Sequence, residues 1–372
     1  MSSPYRHLAA TFALCSLAAL PGCADDALDG TGGSGASSSS GNGASSTTAG
    51  AGGSASSSSG TSSSTTSATS GAGGSGGGTP AEPVLRFVAL GDGGEGNPRQ
   101  YAVGAAMGTV CQAKGGCEFA LYLGDNIYNS GVSGVDDTQF QTKFEQPYAE
   151  LPFIFYVVLG NHDYGGQGAG FEVWKAQHQI DYSAMSSRWN MPDRYYHFAV
   201  PADAGPPGVV PVDFFGLDTN AIMYTGDSTQ KAWLNGATST STATWKIGFG
   251  HHPYVSNGKH GNAGEYEGIP GIPIVSGGNV KSFMEDAVCN KIDVYLSGHD
   301  HNRQWLEPTC GTEFIVSGTA AKMTDLEGRG TPTFFEDDSK GGFLLAEISG
   351  NTFVGTFYDE QGNVEFTRTV TK

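Results

Sequence analysis

Phe119-Ala120-Leu121-Tyr122-Leu123-Gly124-Asp125-Asn126-Ile127-Tyr128 is an apolar run that stops at a glycine and turns polar. Five consecutive apolar residues bounded by a turn signal read as a buried strand. Asp125 then stands just past its carboxyl end. The same grammar recurs along the chain. Leu85 to Leu90 runs into Gly91-Asp92-Gly93-Gly94, and Phe153 to Leu159 into Gly160-Asn161-His162-Asp163. Trp245 to Phe249 leads to Gly250-His251-His252-Pro253, and Val294 to Leu296 to Gly298-His299-Asp300-His301. Polar groups gathered past the carboxyl ends of neighbouring strands mark the site of a layered α/β enzyme.

The intervening segments alternate between helical and strand character. Asn97 to Ala113 reads as a helix with Pro98 in its first turn. Thr138 to Tyr148 reads as a short helix, and Phe171 to Tyr182 as another because Phe171, Trp174, His178 and Tyr182 recur at helical spacing. After that come strands over Tyr195 to Val200, Val212 to Leu217, Glu313 to Ser317, Phe343 to Ile348, Thr352 to Tyr358 and Glu365 to Val370, with helices near Thr229 to Asn235 and Val280 to Cys289. The expected fold class is α/β: a two-sheet βα sandwich with outer helices.

Together the five polar motifs supply Asp92, Asp125, Tyr128, Asn161, His251, His299 and His301, a donor set sufficient for two metal ions sharing one carboxylate. A single Gly-Asp after a strand is often only a turn. His299 and His301 say more, since alternate residues of an extended segment point the same way. Tyr128 discriminates best. A phenol with a reference pKa of about 10 is a poor ligand for a divalent ion near neutrality, whereas a hard trivalent ion holds it as phenolate.

With these motifs in this order, the chain resembles the purple acid phosphatases of the calcineurin-like metallophosphoesterases, and most of all their small, mammalian-type tartrate-resistant members. The likeness runs from about Phe87 to Val370 and includes Ser187 to Asn190, Gly298 to Gln304, Gly341 to Phe343 and Glu347 to Ser349. The resemblance implies Fe(III) held by Asp92, Asp125, Tyr128 and His301, and a divalent Fe, Zn or Mn held by Asp125, Asn161, His251 and His299. It also implies a metal-bound hydroxide nucleophile, with His162 and His260 binding phosphate and assisting the leaving group. His252, beside His251, is expected to be structural. Fe(III) and a divalent ion outweigh two carboxylates, one phenolate and one hydroxide by about one positive charge, which attracts phosphate.

The chain departs from that family at Gly248, where an apolar residue is usual, and at Lys259, where the loop histidine usually has an acidic neighbour. It also lacks most of the mammalian inhibitory loop between Asp218 and Trp233, so no activating cleavage is expected there. Two other functions fit the same motifs: a di-metal phosphodiesterase acting on nucleotides, and a surface binding lipoprotein with a vestigial site.

Residues 1–22 carry Arg6 and an apolar stretch from Leu8 to Leu20, too short to span a bilayer and suited to an export signal. Leu20-Pro21-Gly22-Cys23 resembles a bacterial lipoprotein signal, with Cys23 lipidated; an ordinary signal peptide cleaved nearby is the alternative. Residues 23–82 are dominated by Gly, Ser, Thr and Ala and form an expected tether with a reach on the order of 40 Å. Residues 83–372 are the expected catalytic domain. The expected location is the bacterial cell envelope, periplasmic or at the cell surface, with membrane contact through the lipid alone. The net charge is −18 and becomes −19 without Arg6, which argues against nucleic-acid binding. The expected substrates are small phosphate esters or phosphoproteins, met by a monomer. Four cysteines outside the leader allow three pairings; Cys111 with Cys117 and Cys289 with Cys310 is favoured because each pair brackets a short segment.

Overall fold

A computed structural model describes residues 83–268, 272 and 275–372. The expected signal (1–22) and tether (23–82) lie outside the described residues. Strands are β1 (Leu85–Leu90), β2 (Phe119–Leu123), β3 (Ile154–Val158), β4 (Trp189–Asn190), β5 (Tyr196–Val200), β6 (Val212–Gly216) and β7 (Trp245–Phe249). They continue with β8 (Val294–Ser297), β9 (Arg303–Leu306), β10 (Glu313–Ser317), β11 (Thr333–Asp337), β12 (Gly342–Ser349), β13 (Thr352–Asp359) and β14 (Val364–Thr371). Helices are α1 (Pro98–Ala113), α2 (Lys175–Tyr182), α3 (Thr219–Thr225), α4 (Ser228–Thr240) and α5 (Gly278–Phe283).

Two seven-stranded sheets result, ordered β14-β13-β12-β1-β2-β3-β4 and β11-β9-β10-β8-β7-β6-β5. β1, β2 and β3 run parallel, as do β6, β7, β8 and β10. Strand periodicity assigns each side chain to a layer. Phe87, Ala89, Phe119, Leu121, Leu123 and Val158 from the first sheet meet Phe214, Ile247, Phe249, Val294 and Leu296 from the second in one buried core. The alternate residues Val88, Leu90, Tyr122, Phe155 and Val157 pack outward with α1. Phe215, Tyr295, Phe314 and Val316 do the same on the other side, with Leu234 of α4 and Val280 of α5. Helices therefore cover both outer faces, and the dry interior between the sheets leaves the strand ends to carry the site.

Asn97 caps α1, accepting from Gln100 N at 3.0 Å, with Pro98 as the first helical residue. Both disulfides form as expected, Cys111–Cys117 and Cys289–Cys310. Several elements differ from expectation. The helix expected from Phe171 begins only at Lys175; Phe171 and Trp174 are about 60% exposed, so their spacing marks no buried face. The short helix expected over Thr138 to Tyr148 forms only from Gln139 to Glu145, and its Gln141–Glu145 stretch is wound as a wider π-helix. β9 was unread because Arg303 and Gln304 look like surface residues, yet both are fully buried, Arg303 ion-paired with Asp337 and Glu365. Gly248, where an apolar residue is usual, leaves no gap: a Cβ there would lie 3.1 Å from Tyr295 Cδ2 and 3.3 Å from Ile292 Cγ2, so neighbours already fill the space. Among the described residues no helix is long and apolar enough to cross a membrane.

Candidate metal centre

The seven sequence-selected donors converge at the carboxyl ends of the parallel strands. Asp92 follows β1, Asp125 and Tyr128 follow β2, and Asn161 follows β3, so the first sheet supplies every oxygen donor. His251 follows β7 and His299 and His301 follow β8, so the second sheet supplies every nitrogen donor. Donor atoms of Asp92, Asp125 and His251 all lie within 4.8 Å of one another, and all three residues are buried. Three of the seven, Asp92, Asp125 and His299, have φ of 60°, 51° and 71°. A left-handed non-glycine residue costs about 1–3 kcal/mol and persists where surroundings over-determine it, which is common at functional sites.

Two groups of donors can be distinguished. In one, Tyr128 Oη lies 3.0 Å from Asp92 Oδ1 and 3.1 Å from His301 Nε2, with His301 Nε2 3.6 Å from Asp92 Oδ1. In the other, His251 Nε2 lies 2.9 Å from Asn161 Oδ1, 3.1 Å from His299 Nδ1 and 3.4 Å from Asp125 Oδ2.

Hydrogen-bond accounting shows that these residues fit cations. His251 Nδ1 faces Leu123 O at 2.9 Å, and a carbonyl only accepts, so Nδ1 carries the hydrogen. Asn161 Nδ2 donates to Gly168 O at 2.8 Å, which fixes Oδ1 as the atom facing His251. Nε2 then faces two oxygen acceptors, so positive charge belongs there: a proton on Nε2 supplies it in the empty site, and a metal ion bound by the neutral imidazole would supply it instead. The electrostatics agree. Burial pushes the Asp92 carboxyl up to about 8, with His251 opposing and Asp125 adding to the rise. Burial disfavours the charged form of His251, but Asp125 and Asp92 outweigh it and bring its pKa to about 9. Burial likewise opposes ionisation of Asp125, yet His251 and His162 hold its carboxyl well below the usual range. Burial, reinforced by neighbouring histidines, keeps His299 and His252 neutral. Neutral imidazole is the form that binds a metal.

Around this centre is a cavity of about 90 Å³ lined by residues including Asn161, His162, His252, His260, Glu267 and His299. His162 is buried; its Nδ1 lies 2.7 Å from Asn129 O, and its backbone N donates to Asp125 Oδ1 at 2.8 Å. Gly168 sits over its ring: a Cβ there would be 2.6 Å from His162 Nε2, and φ is +89°. His260 stacks on His299 with ring centroids 4.0 Å apart. His252 packs beside the site, Nδ1 2.8 Å from Thr219 Oγ1. A wider groove of about 950 Å³ along α1 has Glu150 as its one charged lining residue and no convergent donors.

Three residues with a part in the site were not assigned one from the sequence. Glu267 meets His260 Nδ1 through Oε1, supplying from seven residues downstream the acidic partner that Lys259 does not. Asp163 gathers N–H donors from Asn126, Ile127, Gly160 and Gln179, tying the second motif to the third. Asp300 accepts from His260 N at 2.8 Å and from Ser256 Oγ, anchoring the loop that carries His260. Both aspartates directly follow a motif histidine, and that position was the available signal.

Comparison with known proteins agrees with this geometry. Residues 85–303 match the calcineurin-like phosphoesterase family. Tartrate-resistant acid phosphatase type 5 of Sus scrofa is 30% identical over 77% of this chain and 87% of its own length. The Homo sapiens protein of the same name is 30% identical, with 77% and 90% covered. Purple acid phosphatase 4 of Arabidopsis thaliana is 31% identical, with 75% and 81% covered. Among solved structures, GAP50, the anchor in the inner membrane complex of Plasmodium, shares the fold with a TM-score of 0.61 at 20% identity, covering 78% of this chain and 89% of that one. The chain therefore belongs to the calcineurin-like phosphoesterase family, as a metal-dependent phosphoester hydrolase of the acid phosphatase type.

Proposed function

We propose that this protein is an exported acid phosphatase that hydrolyses phosphate monoesters with a dinuclear Fe(III)–divalent metal centre. The observation that carries this reading is Tyr128, whose hydroxyl stands between Asp92 and His301 while the remaining donors collect around His251 Nε2. Asp92, Asp125, Tyr128 and His301 would hold the ferric ion, and Asp125, Asn161, His251 and His299 a divalent Fe, Zn or Mn. When bound, the two ions supply Lewis acidity and lower the pKa of water.

The chain's own residues do the rest. His162 and His260 line the cavity beside Asn161 and His299, where they would hold phosphate oxygens. With Nδ1 turned to Glu267, His260 presents its other ring nitrogen as the acid that protonates the departing alcohol. Asp300 fixes the backbone of that loop, and Gly168 closes over His162, which limits access by bulk water. Asp218 to Trp233 folds as α3 and the start of α4, and full activity without cleavage there is part of the proposal.

Substrates are small phosphate monoesters or phosphoproteins, turned over by a monomer whose one membrane attachment is lipid on Cys23. The disulfides suit an oxidising compartment. Turnover of matched mono- and diesters tests the activity, and a chain faster on diesters would contradict it. Cys23→Ala should move the protein from the membrane to the soluble fraction; unchanged partitioning would remove the anchor from the account.

A further inference from the structure

Tyr128 is enclosed by charge that its role as a donor does not require. Lys322 Nζ lies 4.2 Å from the centroid of the Tyr128 ring, and the Lys322 side chain is only 15% exposed. Lys143 donates to the backbone carbonyl of Tyr128. The acid paired with Lys322 is Glu95, with Oε1 3.5 Å from Nζ. Asp92 faces the phenol oxygen, whereas over the ring and backbone of Tyr128 two ammonium groups stand against the one carboxylate of Glu95. Nor is Lys322 a roaming surface lysine. The segment before it is tied down where Ala320 N donates to Gly91 O at 3.2 Å and Asn97 Nδ2 to Ala321 O at 2.9 Å.

We propose that Lys322 is an electronic tuning residue: its charge over the Tyr128 ring restrains electron donation from the phenolate to the ion that Tyr128 binds. The inference rests on the ferric reading above. A cation over an aromatic face is attracted by the ring quadrupole, and a phenolate ring adds a full negative charge to that attraction. The interaction lowers the energy of the filled phenolate orbital. The visible absorption of a ferric phenolate moves an electron out of that orbital, so Lys322 shifts the band to shorter wavelength. Less donation also leaves the iron easier to reduce, so its potential rises.

The test is the visible spectrum and iron reduction potential of the metal-loaded full chain, with metal content measured on each sample. Lys322→Met should move the band to longer wavelength and lower the potential, and Lys322→Arg should restore both toward wild type. Glu95→Gln, which removes the opposing charge, should move the band to shorter wavelength. A Lys322→Met protein with full iron and the wild-type band and potential would overturn the proposal. Should that variant lose iron, Glu95→Gln decides: an unmoved band overturns it equally. A wild-type protein with iron but no visible band would instead sink the ferric reading, whatever the lysine does.

Discussion

The two sheets contribute different chemistry to one site. The first carries Asp92, Asp125, Tyr128 and Asn161, all oxygen donors, at the ends of three parallel strands. The second carries His251, His299 and His301, all nitrogen donors, at the ends of two. Below the site the sheets are joined by an apolar core, and at the site by polar contacts between their donor residues. A hydrophobic interface tolerates being empty of ions. A cluster of buried carboxylates and imidazoles does not, because the charge states of Asp92, Asp125 and His251 depend on groups of the opposite sheet. The centre therefore belongs to neither sheet and exists only where both are present.

The strongest way to perturb this arrangement is to remove Asp125, the carboxylate proposed to serve both ions. Asp125→Asn should lower phosphate monoester turnover by at least about 10⁴-fold, since a weakened centre forfeits Lewis acidity at both ions. A variant keeping a tenth of wild-type turnover would separate Asp125 from the centre. Next in size are the cavity histidines. His162→Ala or His260→Ala should leave both metals bound and slow turnover by roughly 10²–10⁴. His260→Ala should suffer most on alkyl phosphates, whose leaving groups need a proton; an unchanged rate there would remove its acid role.

A smaller effect probes a cross-sheet tie outside the donor set. Asp218, beyond β6 of the second sheet, accepts from Tyr164 Oη of the β3–α2 loop at 2.5 Å. Burial pushes its carboxyl up to about 6 against the lowering effect of the Tyr164 hydrogen bond. Because the folded pKa lies above the unfolded one, the stabilising contribution is full below about pH 4 and lost as pH rises through about 6. Asp218→Asn should therefore match wild type near pH 4 and gain up to roughly 3 kcal/mol on it near pH 8. Denaturant titrations at the two pH values check this, and a constant difference would refute the linkage.

The smallest contrast lies between the outer layers. Cys289–Cys310 closes a separation of 21 residues on the second sheet's side, and Cys111–Cys117 closes 6 on the first. Replacing the former pair by serine should cost about 3 kcal/mol and the latter about 2, because longer loops restrict the unfolded chain more. Equal losses in denaturant midpoint would point to native-state effects instead.

What was legible in the sequence follows the same division. The strands of the inter-sheet core read correctly because residues such as Phe119, Leu121 and Leu123 form apolar runs that stop at Gly-Asp or Gly-Asn. The donor residues were legible because each stands just past such a run. Arg303 was not, since its burial is made possible by Asp337 and Glu365 from distant strands. Glu267 was missed because its pairing with His260 depends on how an irregular loop folds back, with Glu267 itself at φ 56°. Phe171 and Trp174 misled because helical spacing says nothing of whether a face is covered.

Oxygen donors of one sheet and nitrogen donors of the other are proposed to hold two ions in common. Metal content per chain, measured by elemental mass spectrometry on wild type and His251→Ala, tests it most directly. Wild type should carry two ions, at least one of them iron, and His251→Ala a single iron. One ion in wild type, or two retained in the variant, would contradict it.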